Sequence, residues 1–441
     1  MFFDRPEAGH KNASDIAILV HIDFPEGDNR EDPNEFKELV LSAGGAPVEF
    51  ITGTRKTPDP KTFVGKGKVE EIKAMAEAHE ADIVLFNHTL TPSQERNLEA
   101  ALECRVLDRT GLILDIFALR ARTHEGKLQV ELAQLQHQTT RLIRGWTHLE
   151  RQQGGIGSRG AGESQLETDR RLVAHRETLI RKRLAKVRSQ RDQGRRARNR
   201  SAIPTIALVG YTNAGKSTLF NALTKATVYA ADQLFATLDP TLRRLAIMDV
   251  GDVVLADTVG FIRHLPHKLV EAFRATLQET TEARLLLHVI DSASDERQHN
   301  IEQVQHVLQE IEADQVPQLR VYNKIDLLEE SVAKIDRDEH GKPVAVWLSA
   351  QAKEGFELLT QAIAELVGEE LFQQTIELSP ADAKLRALLY EQAGVAEETF
   401  AENGNNILRL RLQLDDFKQI LAKSGTRQDR FIPVELEEWQ K

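Results

Sequence analysis

The sequence predicts a multidomain α/β protein in four units. These are an N-terminal parallel α/β domain (1–122), an antiparallel helical hairpin (123–201), a doubly wound α/β domain (202–369) and a small C-terminal α+β domain (370–441). Three observations predict this arrangement. At 441 residues the chain is longer than one hydrophobic core organises. Two of its stretches alternate short apolar runs with helical periodicity, the pattern of a parallel sheet covered on both faces. Between them lies a strongly charged stretch of helical period, interrupted by a cluster of glycines.

In the first unit the apolar runs at 16–22, 47–51, 82–86 and 105–108 read as strands, with helices near 34–42, 69–79 and 93–103. Gly65-Lys66-Gly67-Lys68 reads as a solvated turn before a helix. In the hairpin, Leu128, Leu132, Leu135 and Leu142 keep helical spacing until the five glycines at 154, 155, 157, 160 and 162. A second helical pattern then runs from Glu163 past Leu172, Leu179 and Leu184 into Arg195-Arg196, and Pro204 marks its end. Two long helices about a glycine-rich tip predict an antiparallel pair. The third unit has strand-like runs at 205–209, 245–248, 253–257, 285–291, 319–323 and 344–348. In the fourth, a helix at 381–390, a strand at 407–414 and a helix at 415–422 are expected.

Composition narrows the class. The 41% apolar and 28% charged content is that of a soluble globular protein. No apolar run reaches the roughly 18 residues of a membrane span, and the start of the chain lacks an apolar signal core. The single cysteine, Cys104, forbids an intrachain disulfide and fits a reducing compartment, so a cytoplasmic location is expected. Its thiol reads as a small apolar group at the start of a strand. Net charge is −11, yet residues 139–200 hold 17 Lys and Arg against 6 Asp and Glu. A stretch of +11 in a chain whose remainder carries −22 is a candidate polyanion-binding arm.

The chemistry is concentrated in the third unit. Gly210-Tyr211-Thr212-Asn213-Ala214-Gly215-Lys216-Ser217 fits G-x-x-x-x-G-K-[ST], between an apolar run and a helical one opened by Ser217-Thr218. Its glycines turn backbone N–H groups toward phosphates, and the helix N-terminus adds positive potential. Lys216 is expected to reach the β- and γ-phosphates, and the Ser217 hydroxyl to bind Mg²⁺. Asp257-Thr258-Val259-Gly260 closes a later apolar run; Asp257 is expected to hold the metal through water, and the Gly260 amide to face the γ-phosphate. Between the two motifs, the stretch 235–241 occupies the place of a switch loop, where a threonine can bind metal and γ-phosphate together.

Base choice is expected from Asn323-Lys324-Ile325-Asp326. A carboxylate accepts from guanine N1–H and the N2 amino group, whereas adenine presents an acceptor at N1 and leaves it unpaired. Lys324 would flank the base with its stem. Ser349-Ala350-Gln351 follows a strand-like run, placing the Ala350 amide to donate to guanine O6. These four motifs in order predict a P-loop GTPase domain. One position departs from many small GTPases: Phe261 stands where a glutamine orients the attacking water. Slow unassisted turnover, stimulated from elsewhere, is expected.

With these residues the chain resembles the HflX family of ribosome-associated GTPases over nearly its whole length. The resemblance rests on 210–217, 235–241, 257–260 followed by Phe261, and 323–326, and most specifically on 64–72 and 154–169, which generic GTPases lack. It selects Thr237 over Thr241 as the switch threonine, so that Lys216, Thr237 and Gly260 form the catalytic set and Ser217 and Thr237 the direct Mg²⁺ ligands. It also places Phe235, Ala236, Leu238 and Asp239 beside the nucleotide. It implies binding to the large (50S) ribosomal subunit and GTP-linked splitting or rescue of stalled ribosomes, notably under heat stress. The N-terminal domain and hairpin would then meet ribosomal RNA, and a monomer is expected. A rival reading is a GTP-gated RNA-binding factor in ribosome biogenesis with little role for hydrolysis, which Phe261 favours. A third, a membrane- or protease-associated regulator, needs an amphipathic anchor that the sequence does not offer.

Overall fold

Alternation along β1 (Ile16–Asp23) sends its side chains to two different cores. Ala17 and Leu19 face one, with α1 (Pro33–Ala43) and α4 (Arg109–Arg120); Ile18, Val20 and Ile22 face the other, with α2 (Lys66–Ala78) and α3 (Pro92–Leu102). Burial on both faces is why this strand reads as continuous apolar sequence. A computed structural model describes residues 15–25, 32–142, 161–200, 203–224, 234–235, 237–248, 250–263, 277, 279–329, 332–368, 371–391, 395–401, 404–427 and 430–431. With β2 (Ala46–Thr54), β3 (Ile83–Phe86) and β4 (Arg105–Asp108), β1 forms a four-stranded parallel sheet of order β2-β1-β3-β4.

Helix α4 had no sequence signal of its own. Every residue from Arg109 to Phe117 is buried, so no polar face marks a period. Its start is fixed instead by Asp108, whose carboxylate accepts from Gly111 N at 2.8 Å.

The hairpin helices are α5 (His124–Leu142) and α6 (Ala161–Arg200). They pack through Leu128, Leu132, Ile180 and Leu184, and Arg176 pairs with Glu131 at 2.6 Å. Away from that seam Arg170, Arg171, Arg181, Lys182, Arg183 and Lys186 are exposed. The glycine-rich tip from 154 to 160, with Arg151 and Arg159, lies outside the described residues, and Gly162 falls at the start of α6.

The third unit is a seven-stranded sheet of order β10-β11-β9-β8-β5-β7-β6. Its strands are β5 (Thr205–Val209), β6 (Thr241–Ile247), β7 (Gly251–Asp257), β8 (Leu285–Asp291), β9 (Gln318–Asn323), β10 (Lys334–Arg337) and β11 (Pro343–Trp347). The inner five run parallel, and the edge strands β6 and β10 are antiparallel to their neighbours. Helices α7 (Lys216–Thr224), α8 (Arg297–Glu310) and α9 (Phe356–Gly368) accompany them. The chain leaves β5, adds β7 on one side and β8 on the other, so a crevice opens at the C-terminal end of β5.

The C-terminal unit is an antiparallel sheet, β12 (Leu371–Leu378), β14 (Asn406–Gln413) and β13 (Val395–Phe400) in that order, with α10 (Ala383–Glu391) and α11 (Leu414–Ser424). It has its own core around Leu408, Leu410 and Phe417. By contrast, the first and third units share one: Phe36, Leu39 and Phe117 lie in the same cluster as Leu234, Phe235, Leu238 and Phe261. No described helix is long and apolar enough to cross a membrane.

Candidate nucleotide site

The loop after β5 is shaped by what cannot be placed in it. Gly210 has φ +150°, and a Cβ there would lie 2.2 Å from the Val289 carbonyl oxygen on β8. Gly215 has φ +91°, and its Cβ would meet Asn323 Nδ2 at 2.2 Å. Only glycine fits either position. Asn213 also sits at positive φ, 59°, a region that asparagine tolerates. Ala214 is buried beneath the loop, while Thr218 is exposed on the first turn of α7.

Lys216 turns back into this loop. Its Nζ donates to Gly210 O at 3.0 Å and Tyr211 O at 2.6 Å, and burial pulls its pKa down to about 8. An anion arriving at the loop would find this cation poised under the backbone. Gly260 lies against it: a Cβ at 260 would be 3.1 Å from Lys216 Nζ and 2.8 Å from Thr212 Cγ2. Residue 260 therefore presents backbone alone to this space. Thr258 is turned away, donating to Leu208 O at 2.5 Å, and Val259 belongs to the core.

Ser217, Thr237 and Asp257 converge. Ser217 Oγ lies 2.8 Å from both Asp257 Oδ2 and Thr237 Oγ1, and Thr237 Oγ1 donates to Asp257 Oδ2 at 2.9 Å. Asp257 is wholly buried and burial raises its pKa, while its Oδ1 has no partner among the described residues. Two hydroxyls and a carboxylate with an unused oxygen are a hard-oxygen set, the kind Mg²⁺ takes beside phosphate.

The base-side residues divide their work differently from the sequence expectation. Asn323 Nδ2 donates to Ala214 O and its Oδ1 accepts from Ala350 N, both at 2.9 Å. Asn323 is thus a strut between the phosphate loop and the 349–351 turn. The Ala350 N–H expected to meet guanine O6 donates to Asn323 in this structure. Asp326 accepts from Ser349 Oγ at 2.5 Å through Oδ1. Lys324, at φ 65°, pairs with Asp291 at 2.7 Å, which pins its stem; Ile325 is buried below, and Gln351 is exposed. Asp326→Asn should weaken GTP binding by roughly 5- to 150-fold, the effect of about 1–3 kcal/mol for one unsatisfied partner, and improve competition by xanthosine triphosphate. Competition titrations with both nucleotides check this.

The stretch 234–239 is tied largely to the N-terminal unit and the hairpin. Phe235 and Leu238 are buried, and the Phe235 ring meets Phe117 edge-on at 4.7 Å between centroids. Both side chains belong to the core shared with the N-terminal unit. Asp239 is turned to the start of α5, accepting from Arg122 N, Thr123 N and Thr123 Oγ1. Ala236 lies outside the described residues. Among the described residues of this stretch, Thr237 reaches the oxygen cluster.

Phe261 is 1% exposed and sits in the core shared with the N-terminal unit. Its backbone does the local work: Phe261 N donates to Gly210 O at 3.1 Å and Phe261 O accepts from Thr212 N at 2.7 Å. Sequence reasoning also missed the role of Tyr211. Its hydroxyl donates to Glu35 at 2.6 Å and accepts from Arg263 N at 3.1 Å, while Glu35 is paired with buried Arg109 at 3.0 Å. No local motif signals a partner 176 residues away.

Three family models match this chain. Residues 30–118 match a GTP-binding GTPase N-terminal region, 120–198 its middle region, and 205–324 a 50S ribosome-binding GTPase. The chain is 58% identical over 430 residues to the GTPase HflX of Escherichia coli (strain K12), covering 98% of this chain and 100% of that one. It is 48% identical over 350 residues to the GTPase HflX of Magnetococcus marinus, covering 79% and 81%. A solved GTP-binding protein from Sulfolobus solfataricus in complex with GDP is 26% identical, with 80% of this chain and 99% of that one covered and a TM-score of 0.43.

Proposed function

This chain belongs to the HflX family of GTPases, and from that premise we propose that it is a Mg²⁺-dependent, cytoplasmic, monomeric factor that docks on the large ribosomal subunit and splits or rescues stalled ribosomes, notably under heat stress. That it is a GTP hydrolase with a ribosome-binding type of GTPase domain follows from the family itself. The observation that carries the finer reading is the pairing of a phosphate-ready loop with an exposed basic helix face, including Arg181, Lys182, Arg183 and Lys186.

In this reading the loop amides of 210–217 and Lys216 bind the phosphates, and Gly260 offers its amide to the γ-phosphate. Ser217, Thr237 and Asp257 would hold Mg²⁺, with Asp257 acting through water, and the bound metal would supply positive charge beside the phosphate oxygens. Asp326 reads the base. Nothing at Phe261 can orient water, since a buried phenyl ring neither accepts nor donates a proton.

Large subunits should therefore raise GTP turnover by at least about an order of magnitude, the scale of one positioning or electrostatic group. Steady-state turnover with and without purified large subunits measures this, and equal rates would remove the ribosome from the catalytic cycle. Sucrose-gradient profiles of ribosomes incubated with GTP then test splitting. Replacing Arg181, Lys182, Arg183 and Lys186 with alanine should weaken large-subunit binding and flatten its salt dependence. The slope of log affinity against log salt falls by about one for each phosphate that the variant no longer neutralises. GTP affinity should not change, and an unaltered salt slope would return this helix face to plain solvation.

A further inference from the structure

The carboxylate of Asp239 lies two residues beyond Thr237, yet it is spent on another unit. Its Oδ2 accepts from Arg122 N and Thr123 N, each at 2.8 Å, and its Oδ1 accepts from Thr123 Oγ1 at 2.5 Å. Thr123 Oγ1 in turn accepts from Gly126 N at 2.9 Å and so caps the first turn of α5. An anion at the positive end of a helix is favoured on both sides, so Asp239 and α5 hold each other.

Gly126 shows that space is kept for this bond. A Cβ at 126 would stand 2.2 Å from Asp239 Oδ1 and 3.0 Å from its Cγ. Alanine is the better helix former at an interior position, so glycine here serves the bond rather than the helix. The other end of the segment is also fixed from the N-terminal unit: Leu234 N donates to Ser42 Oγ at 3.0 Å, and Phe235 packs on Phe117. Thr237 thus hangs between two anchors, neither of which is in the sheet that carries Asp257.

We propose that Asp239 is a positioning residue for GTP hydrolysis, fixing Thr237 against Ser217 and Asp257 by binding the N-terminus of α5. The bond runs both ways, so the hairpin helix α5 and the switch segment are ordered together. The inference rests on the reading of Thr237 as the threonine that serves metal and γ-phosphate.

The test compares Asp239→Ala, Gly126→Ala and Thr237→Ala in the full chain, measuring kcat for GTP and affinity for GDP. Thr237 acts only when a γ-phosphate is present. A positioning role therefore predicts a tenfold or greater fall in kcat for Asp239→Ala and for Gly126→Ala, with GDP affinity unchanged. The second variant keeps the carboxylate and favours the helix, so its loss cannot be put down to an unfolded α5. If Thr237→Ala loses turnover while Asp239→Ala and Gly126→Ala stay within twofold of the parent, the positioning role is wrong and the Thr237 reading stands. If all three retain turnover, the Thr237 reading itself fails. A parallel loss of GDP affinity in Asp239→Ala and Gly126→Ala would show a merely structural role and overturn the proposal.

Discussion

Replacing Lys216 with alanine is expected to lower kcat/KM for GTP by about 100-fold or more, the range seen when one preorganised charge is removed from a reacting centre. The fold should survive the change. Burial disfavours the Lys216 ammonium and pulls its pKa down to about 8, so removing it relieves a desolvation cost as well as two hydrogen bonds. Gly210 O keeps Phe261 N as a donor when the amine is gone. Single-turnover hydrolysis beside a thermal unfolding curve separates the two effects. Near-parental turnover in a protein with an unchanged melting temperature would remove Lys216 from the site.

Gly210→Ala should act in the opposite way, through structure. The methyl would have to occupy a point 2.2 Å from the carbonyl oxygen of Val289, in the backbone of central strand β8, at a φ of +150°. Overpacking costs about 1–3 kcal/mol, and the backbone strain adds roughly 1–3 kcal/mol. A loss of about 3 kcal/mol or more in unfolding free energy is therefore expected from the two effects together, along with loss of nucleotide binding. Urea titration and nucleotide affinity measure the two. A stable variant that still binds GTP would mean that β8 and the loop can separate without consequence.

Much of this architecture was legible in the sequence because its strands are short, apolar and set between amphipathic helices. The parallel strands of both large sheets and the two hairpin helices lie where the pattern places them, since burial on two faces leaves nothing polar to obscure a strand. The misses have physical causes. Helix α4 is buried on every side of its first nine residues and so shows no period. Strand β10 is a short polar edge, Lys334-Ile335-Asp336-Arg337. Strands β12 and β13 carry Gln373-Gln374 and Glu397-Glu398, residues that read as surface.

For the site, motifs that bind through backbone were readable because glycine is demanded by geometry. Residues whose partner lies far along the chain were not. Phe235, Leu238 and Asp239 look like one contiguous phosphate-side stretch, yet Phe235 packs on Phe117 and Asp239 binds the start of α5. The chemistry that Phe261 lacks was evident from its identity. Its burial between units was not, because a lone aromatic after Asp-x-x-Gly carries no mark of where it packs.

The shared core also bears on how the chain is assembled and where it can be cut. Phe36, Leu39 and Phe117 lie in one cluster with Leu234, Phe235 and Phe261, so one face of each unit is buried only when the other packs against it, although each also has a core of its own. Melting of the first and third units is then expected to be coupled through that cluster, whereas the C-terminal sheet, with Leu408, Leu410 and Phe417 in a separate interior, is expected to melt on its own. A fragment excised at residue 203 would present Leu234, Phe235 and Phe261 to water as an adhesive surface, so its solubility and its turnover would describe a different molecule from the intact chain.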